Sequence, residues 1–205
     1  MLGERLHAQL ETEGVATRYL VRSGNRTTIS LDGVDEAGHP SYVFHGLGPA
    51  DCSVQIEDLP KFGPEVRRLH FGSYSLVKKP VADAFESLLA NANGYFVSLD
   101  PNVRPTVEPD LDIWRSRLEN YAPRVDLIKV SAEDLGTLYP RRSRESLAGE
   151  WLSNGVRLVV VTDGGEKVWA RTKRGDVVRI SPPTRILSIR SGPVTVSKPP
   201  CFQSW

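Results

Sequence analysis

Leu2, Leu6 and Leu10 recur at a four-residue spacing, the stripe of an amphipathic helix, and Gly14 follows as a natural stop. Between residues 17 and 45 the pattern changes. Tyr19-Leu20-Val21, the run from Thr27 to Leu31, and Tyr42-Val43-Phe44 are short β-type segments. Gly24-Asn25 and a polar span from Asp32 to Pro40 separate them. With no helical stripe between them, they predict an antiparallel meander, a flap rather than part of a parallel sheet.

From about residue 67 the rhythm becomes strand, helix, strand. Arg68 to Phe71 predicts a strand ending at Gly72-Ser73; Pro80 opens a helix through Leu89, and Gly94 closes that segment. Tyr95 to Leu99 reads as a buried strand broken by Asp100-Pro101-Asn102. Leu111, Trp114, Leu118 and Tyr121 then mark a helix, and Val125 to Val130 the next strand. Two short helices, around Leu135 and over Leu147 to Leu152, lead to the most apolar strand, Val156 to Val161. Strands alternating with helices at this spacing predict right-handed βαβ units and a parallel sheet covered on both faces. From Ser181 to Trp205 neither period persists, and the segment predicts neither strand nor helix.

Composition narrows the function classes. Lys+Arg 26 against Asp+Glu 25 leaves a net charge of +1 with no long run of either sign, which argues against a nucleic-acid or anionic-membrane partner. No apolar stretch approaches the ~20 residues of a membrane-spanning helix. The charged start MLGERLHAQLETEG does not read as a signal peptide. Cys52 and Cys201 lie far apart and outside any metal-type spacing, so a reduced, cytoplasmic protein is expected. His7, His39, His45 and His70 are dispersed, which speaks against a metal site.

Ligands of open α/β sheets bind in the crevice at the carboxyl ends of the strands, and three polar segments are expected there. In SLDPNVRP, Asn102 and Arg104 follow a strand and a proline turn; Arg104 could grip a phosphate or sugar hydroxyls through its planar fork. The same segment is equally a turn capped by its own Asp and Asn. In DLIKVSAED, Ser131 is placed to cap a helix, where Lys129 would favour a phosphate and Asp134 could hold a hydrated magnesium. Ser-x-x-Asp is also simply a weak capping box. In VVVTDGGEK, Thr162 and Gly164 end a strand where backbone can approach a nucleotide, or where a hairpin turns back toward Val168.

Each segment is ambiguous alone, but their order resembles the PfkB-type, ribokinase-like carbohydrate kinases, and most of all bacterial fructokinases. SLDPNVRP resembles that family's Asp-Pro-Asn-x-Arg-Pro stretch, LIKVSAEDL its Lys-x-Asn/Ser-x-x-Glu/Asp stretch, and VVVTDGG its Thr-x-Gly nucleotide strand. YVFHGLGPAD and LHFGSYSL resemble the lid segment and the Gly-Ser strand end that precede them. Lys167 departs from the pattern, standing where the family usually has glycine. The resemblance implies a three-layer α/β/α domain over residues 1–183, incomplete here, with a mostly parallel sheet and a small antiparallel β lid at 17–45. It implies transfer of the ATP γ-phosphate to a sugar, fructose-like, with magnesium. Phe44, Asn102 and Arg104 would then serve the sugar. Lys129, Ser131, Thr162 and Gly164 would serve the nucleotide, and Asp134 the metal. Homodimers through the lid are a further expectation.

Two family segments do not occur in these residues: the N-terminal Gly-Gly-Asn sugar-binding stretch, and the Gly-Ala-Gly-Asp anion hole with its catalytic base. Their absence predicts an inactive chain, truncated at its N-terminus. Residues 184–205 are expected to be an irregular, frameshifted tail. SIRSGPVTVSKPPCFQSW, from Ser188, can be encoded so that reading from the third base gives DTVGPGDGFQAALLSKL, the family's D-T-x-G-x-G-D-x-F motif and an apolar helix start. The alternative is a non-catalytic pseudokinase that still binds nucleotide or sugar. A dinucleotide-binding enzyme is disfavoured because no G-x-G-x-x-G follows a strand.

Overall fold

The computed structural model describes residues 2–34, 40–45, 48–164 and 167–181, with 31–34 and 40–45 described by backbone alone. Helix α1 (Leu2–Thr12) is followed by a hairpin of β1 (Ile29–Val34) and β2 (Pro40–His45), paired antiparallel. The main body is a six-stranded sheet: β3 (Arg68–Gly72), β4 (Phe96–Asp100), β5 (Leu127–Ser131), β6 (Leu158–Asp163), β7 (Lys167–Thr172) and β8 (Val177–Ile180). Helices α2 (Val81–Ala90), α3 (Leu111–Tyr121), α4 (Ala132–Leu138) and α5 (Arg144–Ser153) connect the first four strands. Those four run parallel; β7 and β8 then return antiparallel. A mostly parallel sheet with a small antiparallel lid is the architecture the periodicities imply.

Spatial order in the sheet equals chain order. Right-handed crossovers that always step the same way must place every helix on the same face. The burial pattern agrees. Leu69, Phe71, Val97, Leu99, Ile128, Val130, Val159, Val161 and Trp169 form one core with Leu89, Trp114, Leu118, Leu138, Leu147 and Trp151 from the helices. The alternate strand positions point the other way: Arg68 and His70 are exposed, Phe96 is 39% exposed, and Leu127, Leu158 and Val160 are only half-buried. Among the described residues the sheet is therefore covered by helices on one face, not on both as its hydrophobic runs suggest.

The lid also differs from expectation. Tyr19-Leu20-Val21 is not a strand; Thr17–Tyr19 is a 3-10 turn, leaving a two-stranded hairpin. Tertiary contacts override the β propensity of this segment. The Tyr19 ring meets Phe62 edge-on at 5.2 Å, its hydroxyl donates to Glu65 at 2.6 Å, and Arg18 pairs with the same carboxylate at 2.5 Å. The tail from 182 onward, including the expected frameshift, lies outside the described residues.

Candidate functional site

At the carboxyl ends of β3 and β4 lies an open cleft of about 340 Å³, lined by His70, Gly72, Ser73, Ser75, Phe85, Asp100 and Asn102. Two strand ends must come unusually close to build it. Gly72 pairs with Asp100 in the β3–β4 register, and a Cβ on Gly72 would sit 2.5 Å from the Asp100 carbonyl oxygen. Only a residue without a side chain fits there. Just beyond, Ser73 (φ 59°) and Asn102 (φ 43°) both take left-handed backbone. They are the only non-glycine residues among those described to do so, and both line this cleft. Asn tolerates that region better than Ser, but both carry conformational cost. Such cost concentrates where a site must be held in one shape.

The polar side chains around the strand ends are largely engaged with one another. Lys129 reaches from β5 to Asp100 on β4, Nζ to Oδ2 at 2.8 Å, while Asp100 Oδ1 is buried with no partner among the described residues. An unpaired buried carboxylate oxygen is rare enough to mark a place where a ligand group can bind. On the sheet face leading to the cleft, His70 Nδ1 and Ser98 Oγ lie 2.8 Å apart. Arg104 turns its Nη1 back onto the Val103 carbonyl at 2.9 Å.

Ser131 caps α4 as the sequence predicts, its Oγ accepting the Asp134 N–H at 2.9 Å. Asp134 is 6% exposed, and its Oδ1 accepts the Val103 N–H at 2.9 Å. Burial pushes its carboxyl above the ordinary range, against the Ser131 and Val103 hydrogen bonds that favour the charged form. Its local role is to brace the β4–α3 loop against α4. Among the described residues no group of three or more His, Cys, Asp or Glu could cage a metal. Thr162 sits opposite Ser131 in the β5–β6 register, and Gly164 (φ 50°) turns the chain toward β7 with open space around it. That turn is the hairpin anticipated as the alternative reading, with Thr162 opposite Val168. Phe44 lies on β2 opposite Ser30; its side chain is outside the described residues.

Of the anticipated site residues whose side chains are described, Asn102 alone lines the cleft. Lys129 reaches it indirectly through Asp100, and Ser131, Thr162 and Gly164 stand farther along the same edge of the sheet. His70, Ser73 and Ser75 are additional lining residues that patterning alone did not single out. The Gly72-Ser73 step was the available signal, since a glycine at a strand end marks close backbone approach.

A family model described as pfkB family carbohydrate kinase matches residues 1–188. The chain belongs to the pfkB family of carbohydrate kinases. Among its relatives, a fructokinase of Rhizobium leguminosarum bv. trifolii is 36% identical over 174 residues, 84% of this chain and 53% of that protein. A fructokinase of Vibrio alginolyticus is 30% identical, over 82% of this chain and 55% of that protein. The apo fructokinase of Vibrio cholerae O395 superposes with TM-score 0.74 at 26% identity, covering 87% of this chain and 62% of that one. The same organism's fructokinase bound to fructose, ADP and calcium also gives 0.74, at 27% identity over 87% of this chain and 58% of that one. The fold is ribokinase-like. The chain spans about half the length of the curated relatives it matches.

Proposed function

We propose that this pfkB-family protein derives from an ATP-dependent sugar kinase of fructokinase type. The observation that carries the reading is the cleft at the β3 and β4 ends, where two left-handed residues and an unpaired carboxylate oxygen converge on a volume of about 340 Å³. Asn102 and, through the same loop, Arg104 are the sugar-side residues in this reading, and Phe44 is the lid residue that would cover the sugar. Lys129, Ser131, Thr162 and Gly164 form the nucleotide side along the ends of β5 and β6. Magnesium, when bound, would supply positive charge against the nucleotide phosphates. The described donor set suits a hydrated ion carried mainly by the nucleotide, and Asp134, already bonded to Val103, would orient its surroundings rather than grip the ion directly.

Phosphoryl transfer is achieved almost wholly by positioning and charge stabilisation. The 205 residues contain no Gly-Ala-Gly-Asp segment, so this chain by itself is proposed to be inactive. Losing one anion-hole donor costs ~10²–10³ in rate, and here both donors and base are missing. A coupled assay of ADP release with ATP and fructose on monodisperse protein should give the enzyme-free rate; fructose-dependent turnover would overturn the proposal. A second reading, a nucleotide-binding pseudokinase, draws on the Ser131–Thr162 register at one sheet edge. Saturable ATP binding by calorimetry without turnover would favour it. We also propose that residues 184–205 are a frameshifted tail. Sequencing the encoding DNA across codons 180–205 tests this directly, since the alternate frame must read through DTVGPGDGF.

A further inference from the structure

We propose that Asp51 is a positioning residue, latching the root of the lid to the floor of the cleft; this rests on reading that cleft as the substrate site. The two legs of the lid are tied together below β1 and β2. The Ala50 N–H donates to the Arg26 carbonyl at 2.9 Å, and the Ser53 hydroxyl donates to Ser23 Oγ at 3.0 Å. Asp51, in the 3-10 turn Ala50–Cys52, joins these legs to the main body. One of its carboxylate oxygens accepts from the Thr28 hydroxyl, one residue before β1, and the other accepts from the Tyr74 hydroxyl. One carboxylate thus links Thr28 to Tyr74 in a three-residue network.

Both ends of that network are anchored. Cys52, the next residue, is 8% exposed, so the turn carrying Asp51 is held in the body. Tyr74 packs against the main core and lies between Ser73 and Ser75, which both line the cleft. The Ser75 hydroxyl donates to the Gly72 carbonyl at 2.6 Å, so the turn moves as a unit with the end of β3. A shift of the lid root at Thr28 is therefore passed through one carboxylate to Tyr74, and from there to both serines. Charge-assisted hydrogen bonds are strong enough to carry such coupling.

The test is hydrogen–deuterium exchange of the full chain, comparing wild type with Tyr74→Phe and Thr28→Val. Tyr74→Phe leaves the Thr28–Asp51 bond in place. It should nevertheless speed exchange at least about fivefold both in residues 72–77 and in the lid strands, with α3 and β5 unchanged. Thr28→Val perturbs the network from the other side and should produce the same paired rise, so either variant suffices if one folds poorly. An effect confined to 72–77 in Tyr74→Phe, or to the lid in Thr28→Val, overturns the latch. So does a wild-type lid with no protection. Fructose added to wild type separates the two ideas. If it slows exchange in neither segment the substrate reading fails, whereas the latch is decided by the ligand-free comparison alone.

Discussion

Ser131 and Asp134 show how much a single hydroxyl and a single carboxylate settle at the edge of the sheet. The Ser131 cap satisfies an N–H that the first turn of α4 cannot, so Ser131→Ala should cost about 1 kcal/mol in urea unfolding, with little change in the m-value. The cap is visible in Ser-x-x-Asp because donor and acceptor are three residues apart. The other bond of Asp134, to Val103, joins positions 31 residues apart, and no local pattern announces it. A pH effect arises at Glu65. Its pKa is lowered to about 2, first by the Tyr19 hydroxyl, then by its own backbone N–H, then by Arg18. A depressed carboxyl contributes stability that is complete above its ordinary value of 4.5 and is lost as pH falls toward 2. The Thr17–Tyr19 turn should accordingly detach in that window, sooner in high salt because the site is exposed, and Tyr19 fluorescence would follow it. Glu65→Gln should remove that acid-side transition.

At the level of elements, the strand ends are set by backbone contacts that a single methyl group can disturb. Gly72→Ala would place Cβ against the Asp100 carbonyl, forcing β3 and β4 apart at the last pair of their register. A loss of about 1–3 kcal/mol is expected from this overpacking. It should come with faster exchange at Ser73 and Asn102, while α5 keeps its protection. Helix α3 was legible because Trp114, Leu118 and Tyr121 share one face, and all three are buried. Helix α1 has the same kind of leucine stripe yet buries none of its residues; Leu2 and Leu6 are 45% and 51% exposed. Periodicity identifies a helix and its apolar side, but what covers that side is a matter of tertiary placement.

Across the whole molecule the consequence of sequential strand order is a sheet with one helical face and one open face among the described residues. Phe96, Leu127, Leu158 and Val160 lie on the open side, interspersed with Arg68, His70, Ser98 and Lys129, and apolar side chains left uncovered there favour association. Light scattering should show concentration-dependent self-association that the pair Phe96→Ser and Val160→Thr reduces while leaving the melting transition of the buried face in place. Pairing through the lid instead predicts a discrete dimer insensitive to that pair. No helix among the described residues is long and apolar enough to cross a membrane. The amino-acid sequence alone determined the strand–helix alternation, the apolar face of α3, the Ser131 cap at the start of α4 and the order of motifs that leads to the pfkB family. These rest on spacing within a few residues, or on order along the chain. Only the tertiary structure decided that one sheet face is open, that Tyr19 docks on Glu65 instead of pairing as a strand, and that Asp100 joins Lys129 at the cleft. It alone brought His70, Ser73 and Asn102 around one volume, because those contacts form between strands that the chain separates by about thirty residues and the sheet sets side by side.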